Sequence, residues 1–481
     1  MFSSRPRATR DRLSSGGSGT TRLNDTAGRV LLAVMLVAPV PFGSNRPVFW
    51  ALWALVLGLV LAWYCLQFSR SGSVSLRMPL SATWPVAIPF FAVAAFMLAQ
   101  ILPLGSFTFT GQTGAVFESR SISLVPGDTF LALLRWLSYG VLFFLAVQAG
   151  VRKNRARRIT LFLTGIVTAQ ALYAIIALLY LGDGVLFVEK SQYMGDATGT
   201  FINRNSFATF MGFGAILAAL LVLPPAENEP GSPPPQLRGV GERSGLPKRG
   251  FRISSQQVLA ATAFLIIIAA LAASNSRMGL FASGCGVATA VLLRLPSLRS
   301  RLIAFSLLIA GGLAIVAVYG QGTLERSLTV ERDADVRWAV YENTFRMIGD
   351  RPLLGFGAST FEAAYPLYNV MPRSTSVVFD KAHSTYLAHW SEMGLLFGSL
   401  PVIIVLVIAA SLLPAALFRG NRQIEICAAT GAIVLGAVHS LVDFSLEIEA
   451  VTFLFVIMLG LGYAAARERA ARAGGDAGGS A

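Results

Sequence analysis

The chain has 481 residues, of which 54% are hydrophobic and only 13% are charged. Soluble globular proteins carry about a quarter charged residues, so this composition excludes an ordinary soluble domain. The net charge of +14 would suit nucleic acid, but most Lys and Arg residues lie in connections on one side of the predicted helices. That bias is the topology signal of a membrane protein, and we expect no nucleic-acid partner.

Continuous apolar runs of about 17–25 residues recur along the chain, which is the length of a helix that crosses a bilayer. They predict an all-α integral membrane protein with about twelve transmembrane helices and a large helical loop before helix 10. The basic connections place the N- and C-termini in the cytoplasm. The predicted helices cover about 28–43, 47–67, 84–102, 127–149, 159–182, 205–224, 256–274, 278–294, 302–320, 391–416, 424–442 and 449–466.

The chain divides into five predicted segments. Its polar start has no apolar run typical of a cleaved signal peptide. The stretch 225–253 is rich in Pro, Gly and charge, and it is predicted to be a disordered cytoplasmic linker. The segments are the basic cytoplasmic tail 1–27, helices 1–9 at 28–320, the external helical loop 321–390, helices 10–12 at 391–466 and the cytoplasmic tail 467–481.

The external loop is predicted to be structured. Its apolar side chains at helical spacing are Trp338, Tyr341, Phe345 and Ile348. This spacing predicts an amphipathic helix, followed by a turn at 352–357. A further helical stretch is expected near 359–369. Aromatic residues suit the boundary between membrane and water, so we expect the loop to lie over the membrane face as a lid.

Two arginines stand at predicted helix starts on the external side. Arg204 lies between Asn203 and Asn205, and Arg277 follows the tight turn between helices seven and eight. A positive charge at a helix start opposes the helix dipole, and a bound anion would relieve that conflict. Two such arginines, with the asparagines beside them, could clamp one diphosphate. A side chain that reaches toward lipid headgroups explains Arg204 equally well.

A histidine follows the external loop where the chain re-enters the membrane. His383 could act as a general base near neutral pH, although a hydrogen-bonded surface histidine is an equal alternative. Lys381 and Tyr386 are candidate substrate contacts beside it, and Arg337 on the loop helix would add positive potential. His439 with Asp443 more simply pairs two helices.

Other catalytic chemistry has no support in the sequence. There is no Gly-rich phosphate loop with Lys, no His-Glu-x-x-His motif and no Asp cluster with metal-ligand spacing. The three cysteines are scattered, which argues against a disulfide framework. We therefore expect no metal and no cofactor.

Four short motifs occur along the chain. They are Gly-Thr-Phe-x-Asn-x-Asn-x-Phe-Ala at 199–208, Ser-Arg at 276–277, Pro-Leu-Leu-Gly-Phe-Gly-x-x-x-Phe at 352–361 and His-x-x-Tyr-Leu at 383–387. In this order, with a long external loop before the histidine, they resemble the O-antigen ligase and O-antigen polymerase superfamily. The resemblance covers about residues 30–465. One departure is Ser384, which stands where the family often has asparagine.

The resemblance implies a C-type glycosyltransferase architecture in the bacterial inner membrane. Its implied activity moves a glycan from an undecaprenyl-diphosphate carrier to lipid A-core or to another glycan on the periplasmic face, with inversion. Arg204 and Arg277 would hold the diphosphate, and His383 would be the general base. A likeness to members tied to exopolysaccharide export adds an export complex as a candidate partner.

Two readings from other classes stay open. A lipid-linked glycan flippase or secondary transporter would place charges at the membrane midplane and break helices in both halves of the chain. The candidate charges here gather at one face instead. A scaffold of an export complex would leave Arg204, Arg277 and His383 dispensable.

Overall fold

The computed structural model describes residues 8–70, 76–224, 254–304, 306, 327–369, 379–417 and 423–478. Eight of the helices in this part are long and apolar enough to cross a membrane. The chain is therefore an all-α integral membrane protein, as its composition predicts. The helices that bear on the site and its support are α1 (Ala8–Val37), α2 (Pro47–Arg70), α3 (Trp84–Ile101), α4 (Pro126–Gly150), α5 (Lys153–Tyr180), α6 (Arg204–Val222), α7 (Ser255–Ala273), α8 (Arg277–Arg294), α9 (Ser327–Asp350), α10 (Phe361–Ala364), α11 (Thr385–Leu417), α12 (Ile424–His439) and α13 (Glu449–Gly478).

Several predictions fall outside the described residues. These are the linker 225–253, most of the helix 302–320, and 321–326 and 370–378 of the external loop. The first predicted helix, 28–43, has different bounds, because α1 begins at Ala8 and ends at Val37. Proline lacks the amide hydrogen that a helix interior needs, which is why Pro39 and Pro41 follow the end of α1.

A short β-hairpin interrupts the helices between α3 and α4. Strand β1 (Phe107–Thr110) pairs antiparallel with strand β2 (Val116–Ser119), with Phe107 opposite Ser119. Sequence reasoning left this connection unassigned, because four-residue strands give too short an alternation to recognise. The hairpin matters because Phe109 is buried in the core that supports the external loop.

The chain forms two compact units. Unit 1 contains Met1–Ala149, Val316–Ile408 and Ala437–Ile457, and unit 2 contains Gly150–Ile315, Ala409–Gly436 and Met458–Ala481. Each candidate site residue belongs to one of these two units.

The centre of unit 2 is α6, which packs against α5, α7 and α8. All of its residues from Ser206 to Ala218 are buried, so it is enclosed on every side. Glycines permit this close approach: Gly212 lies against Ser283, and Gly214 lies against Val167. A helix packed so tightly holds its first residue, Arg204, in a defined place.

In unit 1, the predicted amphipathic loop helix is present as α9. The structure shows which of its sides packs against protein. Val340 and Met347 are fully buried and Ile348 nearly so, whereas Trp338 and Phe345 are 72% and 58% exposed. The buried face packs against β1, α10 and the chain before α11 in one hydrophobic cluster, so these partners decide which side of the helix is enclosed.

The turn after α9 packs onto a break in α11. Gly394 has φ 71° and interrupts the helix, and the amide of Leu395 donates to the carbonyl of Pro352 at 2.7 Å. Gly355 has φ 64°, and a Cβ there would overlap the carbonyl group of Glu392. Both positions need glycine, since L side chains rarely adopt this φ and the backbones leave no room.

We expect Gly355→Ala to destabilise the protein by at least about 1–3 kcal/mol, the cost of backbone strain, with the overlap adding to it. Gly349→Ala is the matched control. Gly349 lies in α9 with open space around its Cα, so alanine there should stabilise by up to about 1 kcal/mol. Thermal unfolding in detergent measures both, and equal melting temperatures for the two variants would contradict the packing described for Gly355.

Candidate active site

Arg204 is the first residue of α6, and Asn203 caps that helix. The side-chain oxygen of Asn203 accepts hydrogen bonds from the amides of Asn205 at 2.7 Å and Ser206 at 3.3 Å. Arg204 Nη1 donates to Asp196 Oδ2 at 2.7 Å, and its guanidinium lies 5.3 Å from the centre of the Tyr193 ring. Arg204 Nε is enclosed and has no hydrogen-bond partner among the described residues.

Arg277 is the first residue of α8, immediately after the turn Ser274–Ser276, and its side chain is exposed. Two hydrogen bonds join this turn to the region of Arg204. Ser276 Oγ donates to Asn205 Oδ1 at 2.8 Å, and Asn275 Nδ2 donates to Asp196 Oδ1 at 2.6 Å. The two arginine-bearing helix starts thus belong to one hydrogen-bonded group, which we call the arginine cluster.

His383 lies in unit 1, two residues before α11, with φ 53°. Non-glycine residues seldom adopt this φ, and they do so most often where surrounding contacts enforce it. Its carbonyl accepts a hydrogen bond from the Tyr341 hydroxyl at 3.1 Å, and its ring packs edge-on against Phe444 at 5.5 Å. His383 Nδ1 is enclosed with no hydrogen-bond partner in the described part of the chain.

The surroundings of His383 favour its neutral form. Burial lowers its pKa from the ordinary value of 6.5, and the charge of Arg337 lowers it further. Asp443, Asp380 and Glu447 act in the opposite direction without reversing the shift. A neutral imidazole can accept a proton, so the ring is in the state that a general base requires near neutral pH.

The residues beside His383 are engaged by protein groups. Lys381 Nζ forms an ion pair with Glu447 Oε2 at 3.1 Å, and the Tyr386 hydroxyl donates to the carbonyl of Ala437 at 3.0 Å. Ser384 is buried, and its hydroxyl donates to the carbonyl of Ser440 at 3.2 Å. Ser384 therefore anchors the start of α11. Substrate contacts by Lys381 and Tyr386 stay predictions.

The sequence prediction missed two residues that hold the candidate site residues in place, Asp196 and Tyr341. Asp196 is 7% exposed and meets both Arg204 and Asn275, and Tyr341 holds the backbone of His383. The sequence did offer a signal for Asp196. A partly buried arginine usually needs a counter-ion, and Asp196 lies eight residues before Arg204. Tyr341 offered no local signal beyond its helical spacing.

The family comparison covers part of this arrangement. Residues 262–403 match the family model described as O-antigen ligase. The match supports the O-antigen ligase and polymerase superfamily for this stretch. The resemblance predicted from the four motifs is thereby confirmed. No curated protein matches the chain at the sequence level.

The O-antigen ligase match begins in α7 and ends in α11. It therefore includes Arg277, Arg337 and His383, together with Lys381 and Tyr386. Arg204 and its two flanking asparagines precede the matched stretch. Two hydrogen bonds, from Ser276 to Asn205 and from Asn275 to Asp196, join their region to the matched stretch.

Proposed function

We propose that this multi-pass membrane protein transfers a glycan from an undecaprenyl-diphosphate carrier to an acceptor hydroxyl on the periplasmic face of the bacterial inner membrane. The observation that carries the proposal is the O-antigen ligase match, which runs from before Arg277 to beyond His383. Members of this superfamily ligate or polymerise lipid-linked glycans. In the proposed topology both termini are cytoplasmic. The proposal requires no metal or nucleotide.

In this proposal the arginine cluster binds the donor diphosphate. Each arginine offers a planar fork of N–H groups that matches phosphate oxygens, and each stands at a helix N-terminus, where the helix dipole favours an anion. The Arg204 side chain is 32% exposed while it is bound to Asp196, which supports its assignment as a group that can reach a ligand. Asn203 and Asn205 are proposed substrate contacts at the same helix start.

His383 is proposed as the general base toward the acceptor. As the acceptor oxygen forms its bond to the anomeric carbon, its proton passes to the imidazole. The bond from that carbon to the diphosphate oxygen breaks, and undecaprenyl diphosphate leaves with the electron pair. The growing charge on the diphosphate is stabilised by the arginines, since preorganised cations at developing charge are a large catalytic contribution. A single displacement of this kind inverts the anomeric centre.

The pH profile tests the proposed base. Protonated His383 cannot accept a proton, so activity should fall as the pH drops through its lowered pKa. The charge of Arg337 lowers this pKa and that of Asp443 raises it. We therefore expect Arg337→Gln to move the acid limb of kcat/KM to higher pH, and Asp443→Asn to move it to lower pH. Shifts of both variants in one direction would contradict the assignment.

The central experiment is transfer by the purified protein in nanodiscs. The donor is an undecaprenyl-diphosphate glycan, offered with lipid A-core or with additional donor as acceptor. Release of undecaprenyl diphosphate with a new, inverted glycosidic bond would support the proposal, and the productive acceptor would separate a ligase from a polymerase. Movement of intact donor across the bilayer without transfer would overturn it in favour of a flippase.

A further inference from the structure

Asp196 is a buried carboxylate in the connection between α5 and α6, at the start of its buried stretch 196–201. Each of its oxygens has a different partner: Oδ2 accepts from Arg204 at 2.7 Å, and Oδ1 accepts from Asn275 at 2.6 Å. Its carbonyl also accepts from Lys190 Nζ at 2.7 Å. The carboxylate therefore links the start of α6 to the turn before α8, where its partner Asn275 lies 79 residues after Asp196.

The bond to Asn275 reaches the element that carries the second arginine. Asn275 has φ 52°, a left-handed conformation that costs free energy for residues other than glycine, although asparagine tolerates it best. Ser276 follows and caps α8 through its bond to the Gly279 amide, and Arg277 begins that helix. Holding Asn275 in this conformation thus sets the direction in which α8 and Arg277 begin.

Arg204 remains available to a ligand while it is bound to Asp196. A guanidinium has five N–H donors, and Asp196 takes one of them through Nη1. The Tyr193 ring lies beside the same guanidinium, and the side chain is 32% exposed. Asp196 consequently restricts the rotation of Arg204 and leaves part of its fork accessible.

We propose that Asp196 is a positioning residue for donor binding: it holds Arg204 and the turn before Arg277 in the arrangement that receives a diphosphate. This inference rests on the proposed function, and it adds a residue that acts through the two arginines. The cost of ordering the Arg204 side chain and the turn at Asn275 is met before the donor arrives, so more of the contact energy appears as affinity.

A different carboxylate, Asp183, has a purely structural role in the same connection. Asp183 pairs with Lys190 and accepts from the amide of Gly195 at 2.6 Å. Among the described residues it has no hydrogen bond or ion pair with either arginine, and it stabilises the same connection as Asp196. Asp183→Ala is therefore the matched control for loss of loop order without loss of the link to Arg204 and Asn275.

The test compares Asp196→Ala, Asp196→Asn and Asp183→Ala in nanodiscs, by donor kinetics and by direct binding of undecaprenyl diphosphate. Asp196→Ala should raise the donor KM and the Kd for undecaprenyl diphosphate about tenfold or more, since charge-assisted hydrogen bonds are lost. The acceptor KM should not change. Asp196→Asn can keep both hydrogen bonds once the Asn275 amide rotates, so it should recover most of the affinity.

Two results would overturn the inference while the wild-type protein still transfers glycan. One is an unchanged donor KM and Kd in Asp196→Ala. The other is an equal loss of donor affinity in Asp183→Ala, which would reduce Asp196 to a loop anchor. A wild-type protein that neither transfers glycan nor binds undecaprenyl diphosphate would instead contradict the proposed function itself.

Discussion

Replacing His383 by alanine is expected to lower the rate of glycan transfer by about 10²–10⁴-fold, the usual contribution of a positioned general base. The imidazole is half-buried, its pKa is lowered, and its backbone is held by Tyr341 in a conformation that few residues adopt. Without it, the acceptor hydroxyl would have to lose its proton to water. Single-turnover transfer at saturating donor and acceptor measures this loss directly.

The control for this variant is donor binding. In the proposal the arginine cluster binds the diphosphate, so the Kd for undecaprenyl diphosphate should be the same in His383→Ala and the wild type. Ser384→Ala offers a neighbouring comparison, because it removes a hydrogen bond to Ser440 and leaves the imidazole in place. Its effect should appear in thermal stability. Wild-type transfer rates in His383→Ala would rule out His383 as the base.

Replacing Arg277 by alanine is expected to lower transfer by about 10²–10³-fold, the range seen when one preorganised donor to a developing charge is removed. The arginine is exposed at the first turn of α8, in the O-antigen ligase segment of the chain. Arg277→Lys keeps the charge and loses the planar fork, so its rate should fall between alanine and the wild type. The rate of undecaprenyl diphosphate release measures all three.

A second arginine serves as the matched control for the loss of positive charge. Arg346 is exposed on α9 and pairs with Glu342 one helical turn away. Exposed pairs of this kind contribute about 1 kcal/mol or less, so Arg346→Ala should transfer glycan at the wild-type rate. If Arg346→Ala and Arg277→Ala were equally impaired, the protein would depend on overall positive potential and a specific diphosphate contact at Arg277 would be excluded.

The loop helix α9 shows what helical spacing can and cannot predict. The spacing of Trp338, Tyr341, Phe345 and Ile348 correctly predicts a helix, because local backbone periodicity depends on neighbours along the chain. The same spacing does not show which side of the helix packs against protein, and in the fold Trp338 and Phe345 are exposed. Which stripe is enclosed depends on β1 and α10, and these partners are remote in sequence.

The candidate site also has residues that the sequence indicates and contacts that only the fold reveals. Arg204, Arg277 and His383 are recognisable in the sequence because each is a charged or titratable residue at the edge of an apolar run, where such groups are costly without a purpose. Asp196 lies near enough to Arg204 in sequence to be a candidate counter-ion, but its bond to Asn275 and the ion pair of Lys381 with Glu447 are visible only in the folded chain. No spacing rule connects residues 79 positions apart, such as Asp196 and Asn275.

The sequence by itself determined the membrane class, most of the helices and the motifs that resemble the O-antigen ligase superfamily. Each of these depends on apolar length, charge bias or short-range order along the chain. The tertiary structure decided which face of α9 is buried, how the breaks at Gly355 and Gly394 fit together, and which partners engage the arginines and Lys381. These features arise from packing between distant segments, where side-chain shape and burial select one arrangement among many that share the same local pattern.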